Sequence, residues 1–169
     1  AHTLMDQKMT NFLKVTTATD KKVDLHKNQA KRAVFHLAYP MKNKEDTRLF
    51  YTNILGCSTG REAKTWIDFN FFGNQLSFHL SENSYLSNEP TNLVDGKDIP
   101  VRHFGAVLEW NDWHTLKDRL ISKDLNFIIE PYIRFKNQKG EQATMFFNDP
   151  SGNAIEFKSF KYHSQIFEK

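Results

Sequence analysis

The sequence predicts an α+β domain built from two copies of a strand–helix–strand–strand–strand (βαβββ) module. Short runs alternate apolar and polar residues, as strands with one buried face do. Two longer runs carry apolar residues three and four positions apart, which is typical of helices. The order of these elements repeats, and both copies place a Gly-Asn pair before the last strand, at Gly73-Asn74 and Gly152-Asn153. This self-similarity indicates a duplicated module, with two small curved sheets enclosing a cleft.

The first half of the chain is predicted to hold a tail and module one. Residues 1–31 are polar and lysine-rich, and we expect them to form a flexible tail. Module one follows at residues 32–82, and Gly56 is expected to end its helix. The elements of this module are predicted to be a strand at 33–40, a helix at 44–55 and strands at 57–62, 66–72 and 75–80.

The second half is predicted to hold a long loop and module two, in one domain with module one at residues 32–169. Residues 83–100 are polar and contain two prolines and a glycine, so we expect a loop. Module two is expected at residues 101–162, with Asn111 or Asp112 capping its helix. Its elements are predicted to be a strand at 103–110, a helix ending near 123 and strands at 127–135, 143–147 and 154–160.

Composition and charge exclude several kinds of partner and site. The formal net charge of +3 over 169 residues is small, and no basic run is interleaved with aromatic residues, so nucleic acid is not an expected partner. The single cysteine, Cys57, excludes an intramolecular disulfide and a multi-cysteine zinc site. No apolar run is long enough to span a membrane, and the start lacks the pattern of a secretory signal. We therefore expect a cytoplasmic protein that does not bind membranes.

A carboxylate near the end of module two requires an explanation. The last two strands are joined by Asp-Pro-Ser-Gly-Asn, in which Pro150 presets one backbone angle and Gly152 accepts a positive one. Glu156 then lies in mid-strand between apolar neighbours. Burial of an unpaired carboxylate costs several kcal/mol. The sequence therefore predicts a group that neutralises Glu156.

Two histidines are candidates for the same site as Glu156. His36 lies on the first strand of module one and His103 on the first strand of module two, each opposite a strongly apolar face. If the apolar faces pack against the helices, both imidazoles and the carboxylate point into one cleft. Such a set holds a metal and leaves positions open for water, substrate or oxygen. Singly, each His is also compatible with an interior hydrogen bond, and Glu156 with an ion pair. Their matching places in a duplicated unit favour the metal site.

At these positions the chain resembles the vicinal oxygen chelate superfamily, which includes glyoxalases, extradiol ring-cleaving dioxygenases and bleomycin-resistance proteins. The resemblance covers about residues 33–161. It rests on His36 and on the segments at 50–56, 103–108 and 148–157. The closest likeness is to small single-domain extradiol-dioxygenase-like proteins, through the segments at 66–69, 73–77, 130–135 and 140–144.

The resemblance implies a metal-dependent enzyme with a small-molecule substrate, most simply an extradiol-type dioxygenase, an oxidoreductase acting on a vicinal diol or catechol. It implies that His36, His103 and Glu156 hold a divalent metal, Fe(II) in most ring-cleaving members, with Mn(II), Zn(II) and Ni(II) as further options. His79 is the candidate acid/base, although its register leaves a merely buried role open. A homodimer is an option, because exposed sheet edges invite pairing. Substrate contacts are expected from three residues: Gln75, Tyr132 and Arg134.

Two positions depart from the superfamily patterns. Phe146 stands where ring-cleaving members carry a tyrosine ten residues before the glutamate, and it cannot donate a proton. Ser77 stands where glyoxalase-type members have a fourth ligand, so Gln75 would have to coordinate instead. The alternatives are therefore a metal-dependent isomerase or lyase of the glyoxalase type, and a non-catalytic small-molecule-binding protein of the resistance type.

Overall fold

The computed structural model describes residues 33–81 and 90–168. The predicted tail at residues 1–31 lies outside these ranges. Val34–Lys169 forms one compact unit. Within the described ranges, no helix is both long enough and apolar enough to cross a membrane.

Module one has the predicted order of elements. Its sheet has the strand order β1-β4-β3-β2, with β1 parallel to β4 and the other pairs antiparallel. The Asn43 side chain caps the helix by accepting a hydrogen bond from the backbone N–H of Asp46. The helix continues into a π-helical turn before Gly56, which has a positive φ of 80°. The elements are β1 (His36–Met41), α1 (Lys44–Leu49), the π-helical turn (Phe50–Ile54), β2 (Ser58–Ala63), β3 (Trp66–Phe71) and β4 (Asn74–Leu80).

Module two repeats this topology after a short hairpin. Its sheet has the order β7-β10-β9-β8, again with the first pair parallel. The α+β class and the duplicated βαβββ module are thereby confirmed. The elements are the hairpin strands β5 (Thr91–Val94) and β6 (Lys97–Pro100), then β7 (Phe104–Val107), α2 (Trp110–Ser122), β8 (Phe127–Arg134), β9 (Gln142–Asn148), β10 (Ala154–Phe160) and a 3-10 turn (His163–Phe167).

The predicted loop at residues 83–100 is wrong over its second half, where β5 and β6 pair antiparallel. Asp95 and Gly96 form the connection, with φ of 49° and 79°. Two consecutive positive φ values define the type I′ turn, whose twist matches that of a hairpin. The polar composition of this segment reflects an exposed hairpin and not an irregular loop.

The predicted cap of the second helix is also wrong. Glu109, and not Asn111 or Asp112, is the N-cap residue. Its carbonyl oxygen accepts the first helical hydrogen bond, from the backbone N–H of Trp113 at 2.9 Å. Trp113 therefore lies in the first turn of the helix and is buried, with its indole N–H donating to the carbonyl oxygen of Phe157.

Both sheets bury their apolar faces in a single core. The rings of Phe71 and Phe157, one from each module, lie 5.7 Å apart, and those of Tyr39 and Phe104 lie 4.8 Å apart. Arg119 of α2 donates hydrogen bonds to two carbonyl oxygens at the end of the first helix. The two modules are therefore halves of one hydrophobic unit.

The position of the polar face of each sheet follows from this shared core. Side chains alternate along a strand, so residues between the core positions project from the other side of each sheet. His36 and Ser77 lie on that side in module one, and Glu156 lies on it in module two. The two polar faces therefore lie on the far sides of the two sheets. The described residues do not show the predicted cleft with three ligands meeting inside one chain, so that site stays a prediction.

The turn between β9 and β10 joins the modules through a buried carboxylate. Gly152 has the expected positive φ, at 82°. Asp149 accepts hydrogen bonds from the backbone N–H groups of Ser151 and Asn153 and from the hydroxyl of Tyr51 at 3.0 Å. Burial raises the pKa of Asp149 although these donors lower it. Burial, and then the charge of Asp149, raise the pKa of Tyr51 well above its usual value.

Candidate metal centre

His103 and Glu156 meet on the polar face of module two. His103 directly precedes β7, and Glu156 lies in β10, which pairs with β7. The Nε2 atom of His103 is 3.3 Å from Oε2 of Glu156. The Glu156 side chain is only 11% exposed and that of His103 is 32% exposed, so the pair is sheltered but accessible.

Gly105 has no side chain, and this allows β7 to lie unusually close to β10 beside the His103–Glu156 pair. Gly105 is opposite Glu156 in the parallel register. A Cβ atom at this position would overlap the backbone carbonyl group of Glu156. Only glycine fits here without a shift of one strand.

A backbone carbonyl fixes the orientation of the His103 ring. Its Nδ1 atom lies 3.0 Å from the carbonyl oxygen of Pro100. A carbonyl oxygen can only accept, so Nδ1 carries the proton in the neutral ring. The lone pair of Nε2 then points to the Glu156 carboxylate. Lone pairs of an imidazole and a carboxylate that converge in this way fit a cation bound by both groups.

The other oxygen of Glu156 is already occupied. The hydroxyl of Thr144 donates to Oε1 at 2.8 Å, and the ammonium of Lys158 lies 3.4 Å from the same atom. Oε2 is thereby left to face His103. A cavity of about 230 Å³ opens here, lined by Gly105 and Lys158 among others. The two converging atoms suit a divalent metal ion, and the cavity has room for a small ligand beside it.

Phe146 forms the apolar border of this site. It lies directly opposite Glu156 in the antiparallel register and is 3% exposed. Its ring meets the ring of His103 edge-on, with centroids 5.1 Å apart. The position at which a ring-cleaving member would carry a tyrosine is therefore next to both candidate ligands.

His36 lies apart from this pair. It is exposed on β1, in register with Gln75 of β4. Across residues 33–81 and 90–168, no group of three or more His, Cys, Asp and Glu side chains is placed to hold a metal ion. The structure thus brings together two of the three predicted ligands within one chain, His103 and Glu156.

Comparison with known proteins identifies the family. A family model described as Glyoxalase/Bleomycin resistance protein/Dioxygenase superfamily matches residues 33–157. The chain belongs to this superfamily. The predicted resemblance is thereby confirmed, while the closer likeness to extradiol-type members stays a prediction. No curated protein is similar enough to count as a match.

Solved structures of the superfamily share the fold. A glyoxalase/bleomycin resistance protein/dioxygenase from Alicyclobacillus acidocaldarius is 29% identical, with a TM-score of 0.65, over 80% of this chain and 97% of that chain. A genomically encoded fosfomycin resistance protein from Listeria monocytogenes is 14% identical, with a TM-score of 0.56, over 76% and 93%. A lactoylglutathione lyase from Agrobacterium tumefaciens is 15% identical, with a TM-score of 0.52, over 76% and 94%. At such low identity the last two indicate the fold alone.

Module one of this superfamily member carries a polar pocket that sequence reasoning missed. Asp68 accepts hydrogen bonds from the hydroxyl of Ser77 at 2.5 Å and from the amide of Gln75 at 3.2 Å. Arg61 lies 3.7 Å from the same carboxylate, beside a cavity of about 340 Å³. The signal was present, because Asp68 stands between Ile67 and Phe69 in a strand, as Glu156 stands between Ile155 and Phe157.

Three other predicted site residues lie away from the His103–Glu156 pair or are engaged elsewhere. His79 is exposed and lies four residues beyond Gln75 on β4, about 13 Å along the strand from the level of His36. The role of His79 as the acid/base stays a prediction. The hydroxyl of Tyr132 donates to Asp95, and Arg134 pairs with the same carboxylate at 3.3 Å. Substrate binding by these two residues stays a prediction.

Proposed function

We propose that this superfamily member is a metal-dependent enzyme in which His103 and Glu156 hold a divalent cation. The observation that carries the proposal is the convergence of Nε2 and Oε2 at 3.3 Å. The remaining polar atoms of both groups are engaged by Pro100, Thr144 and Lys158, so these two atoms are the ones left for a ligand. Imidazole and carboxylate together suit Fe(II), Mn(II), Zn(II) or Ni(II).

His36 joins this site from a second copy of the chain. Within one chain the shared core keeps the polar faces of the two modules on opposite sides. A two-fold dimer brings module one of each copy against module two of the other and generates two identical sites. His36 is exposed on β1, which among the described residues pairs with β4 alone, and this supports the arrangement.

The reaction that we propose first is extradiol-type cleavage of a small vicinal diol or catechol. When bound, the divalent metal supplies a template and a Lewis acid for a chelating diol. Thr144 keeps Glu156 in its ligating orientation, and Lys158 adds a positive charge beside it. Two positive charges of the metal and one of Lys158 exceed the single negative charge of Glu156, which favours a deprotonated diol. Gln75, beside the module-one cavity, is the proposed polar contact for the substrate.

A metal-dependent isomerase or lyase is the second candidate, and Phe146 favours it. This ring lies where a proton-donating tyrosine would serve ring cleavage, and it has no proton to give. Isomerisation of a chelated substrate needs no oxygen. The structural neighbours include a lactoylglutathione lyase and a fosfomycin resistance protein, whose fold is the same.

Metal reconstitution under anaerobic conditions tests the proposal. Metal-free protein is loaded with Fe(II), Mn(II), Zn(II) or Ni(II), metal content is measured, and oxygen uptake is followed with a panel of catechols. We expect bound metal in the wild type and none in His103→Ala or Glu156→Gln. His163→Ala is the matched control, because His163 is an exposed histidine paired with Glu109 at the surface. Oxygen uptake supports the dioxygenase, and bound metal without uptake supports the isomerase or lyase. Equal metal content in wild type and both site variants would contradict the site.

Mixing two defective variants tests the contribution of His36. His36→Ala and Glu156→Gln are each expected to lack complete sites. After random re-pairing, half of the dimers are mixed and each holds one intact site, so about one quarter of the wild-type sites should return. No recovery after verified subunit exchange would show that His36 does not act from a second copy.

A further inference from the structure

The hairpin β5–β6 covers the polar face of module two beside the candidate metal ligands. Ile99 of β6 is 2% exposed and packs with Ile129 and Phe146, in a small hydrophobic cluster separate from the main core. Phe146 lies opposite Glu156 in the sheet. The hairpin thus buries the part of the face that borders the metal site.

The same hairpin contacts the His103 ring in two ways. The carbonyl oxygen of Pro100, the last residue of β6, accepts the hydrogen bond from Nδ1 of His103. The Phe146 ring, which packs against Ile99, meets the edge of the imidazole. Both the tautomer and the tilt of the imidazole therefore depend on where the hairpin lies.

One carboxylate fastens the tip of the hairpin to the sheet. Asp95, in the type I′ turn, accepts a hydrogen bond from the Tyr132 hydroxyl and pairs with the guanidinium of Arg134. Tyr132 and Arg134 both lie on β8, which is the far edge of the sheet from His103. The hairpin is held at its tip by polar contacts and at its base by Ile99.

We propose that the β5–β6 hairpin, fastened by Asp95 to Tyr132 and Arg134, is a positioning element that presents Nε2 of His103 to the metal. This inference rests on the proposed function of His103 as a ligand. It gives Tyr132 and Arg134 a role in metal affinity that does not require contact with substrate. Groups that orient a ligating histidine typically change metal affinity about 10- to 100-fold when they are removed.

The test removes the partners of Asp95 on β8, so that the type I′ turn itself stays unchanged. The double variant Tyr132→Phe/Arg134→Met removes both partners of Asp95. Asp98→Asn is the control, because Asp98 is an exposed carboxylate on the same hairpin. The Mn(II) dissociation constant is measured by electron paramagnetic resonance. We expect the double variant to bind Mn(II) about 10- to 100-fold more weakly than wild type, and Asp98→Asn to match wild type. Asp95→Asn should shift affinity in the same direction by a smaller factor.

A second measurement, on the metal-free protein, separates this inference from the proposed function. Imidazole ¹⁵N chemical shifts report the hydrogen bond at Nδ1 of His103. We expect wild type and Asp98→Asn to show a hydrogen-bonded Nδ1–H, and the double variant to show a weakened hydrogen bond. A wild type that binds no metal but shows this difference from the double variant would refute the metal site and leave the hairpin as the group that orients the imidazole. A double variant whose Nδ1 shift and Mn(II) affinity both equal those of wild type would overturn the inference.

Discussion

The two modules share one topology and differ at the position that matters for chemistry. In module one, Ser77 of β4 lies opposite Asp68 of β3. In module two, the equivalent pair is Glu156 of β10 opposite Phe146 of β9. The acid thus lies on neighbouring strands in the two copies, and its partner across the ladder is a hydroxyl in one and a phenyl ring in the other.

This one-strand shift changes what the carboxylate can do. Both oxygens of Asp68 are occupied, one by Ser77 and the other by Gln75 and Arg61. Glu156 has protein donors on one oxygen, while the other faces the imidazole nitrogen of His103. A buried carboxylate with all its acceptors filled stabilises the fold, whereas one with a free oxygen is suited to bind a ligand.

The parallel strand pairs of the two modules, β1 with β4 and β7 with β10, also differ. Ala38 faces Ser77 in module one, and Gly105 faces Glu156 in module two. A Cβ atom at Gly105 would overlap the Glu156 carbonyl group, whereas Ala38 carries a Cβ in the equivalent place. The parallel pair of module two is therefore packed more closely, and its glycine is required sterically.

The largest loss of stability should come from Gly105→Ala. The added methyl group collides with backbone, which cannot turn aside as a side chain can, so we expect a loss of about 3 kcal/mol in the free energy of unfolding. The reciprocal change, Ala38→Gly, should cost only about 0.5–1 kcal/mol through backbone entropy. Urea unfolding of both variants measures this. Equal losses would mean that the two parallel pairs are equally close.

Replacing Asp68 and Glu156 by their amides should show that the first residue contributes to stability and the second to metal binding. Asp68→Asn leaves Gln75 or Ser77 without its acceptor, and we expect a loss of about 1–3 kcal/mol in stability with metal content unchanged. Glu156→Gln should remove bound metal and change stability less, because Thr144 retains an acceptor. Urea unfolding of metal-free protein and elemental analysis of loaded protein give the two values. If Asp68→Asn also lost metal, the assigned difference between the modules would be wrong.

The smallest loss of stability is expected from a change at the turn of module two, which differs from the turn of module one. Asn74 accepts a hydrogen bond from Phe35 within module one, whereas the turn of module two reaches across to Tyr51 through Asp149. Tyr51→Phe should cost about 1 kcal/mol near neutral pH, because it removes one donor to this carboxylate. Tyr162→Phe, at an exposed tyrosine, is the control.

The pH dependence of Tyr51→Phe follows from the direction of the Asp149 shift. Burial raises the pKa of Asp149, so this group stabilises the fold fully below its usual value of 3.8 and loses that contribution as pH rises through the raised pKa. The Tyr51 hydroxyl favours the ionised form. The variant should therefore lose more stability near pH 7 than near pH 4 in urea unfolding. A loss that did not vary with pH would contradict a shared role for Tyr51 and Asp149.

Most of the fold could be predicted from the sequence, because the alternation of apolar and polar residues and the positions of the turn residues indicate the same strands. The Gly73 and Gly152 turns both have positive φ, and the strand that follows each one forms as expected. The hairpin was missed because its strands have four residues each and few apolar side chains. The signal that identifies it is Asp95-Gly96, a pair suited to a type I′ turn.

The candidate site could be predicted only in part. His103 and Glu156 are neighbours because β7 and β10 pair, which the repeated topology indicated. The isolation of His36 could not be predicted, because alternation shows which residues share a face but not how two sheets pack. The contact of the Pro100 carbonyl oxygen with His103 also could not be predicted, because residue type does not show which backbone carbonyl accepts a hydrogen bond.

The shared core has a consequence for how the molecule responds to ligands. The main cluster of buried residues draws on both sheets, so separating the halves would expose Phe71, Phe157 and their neighbours to water. Opening either half on its own is therefore costly, and the two are expected to melt in one transition. A cation bound at Glu156 should consequently slow amide exchange on β3 as well, because the free energy of binding is added to the stability of the whole unit.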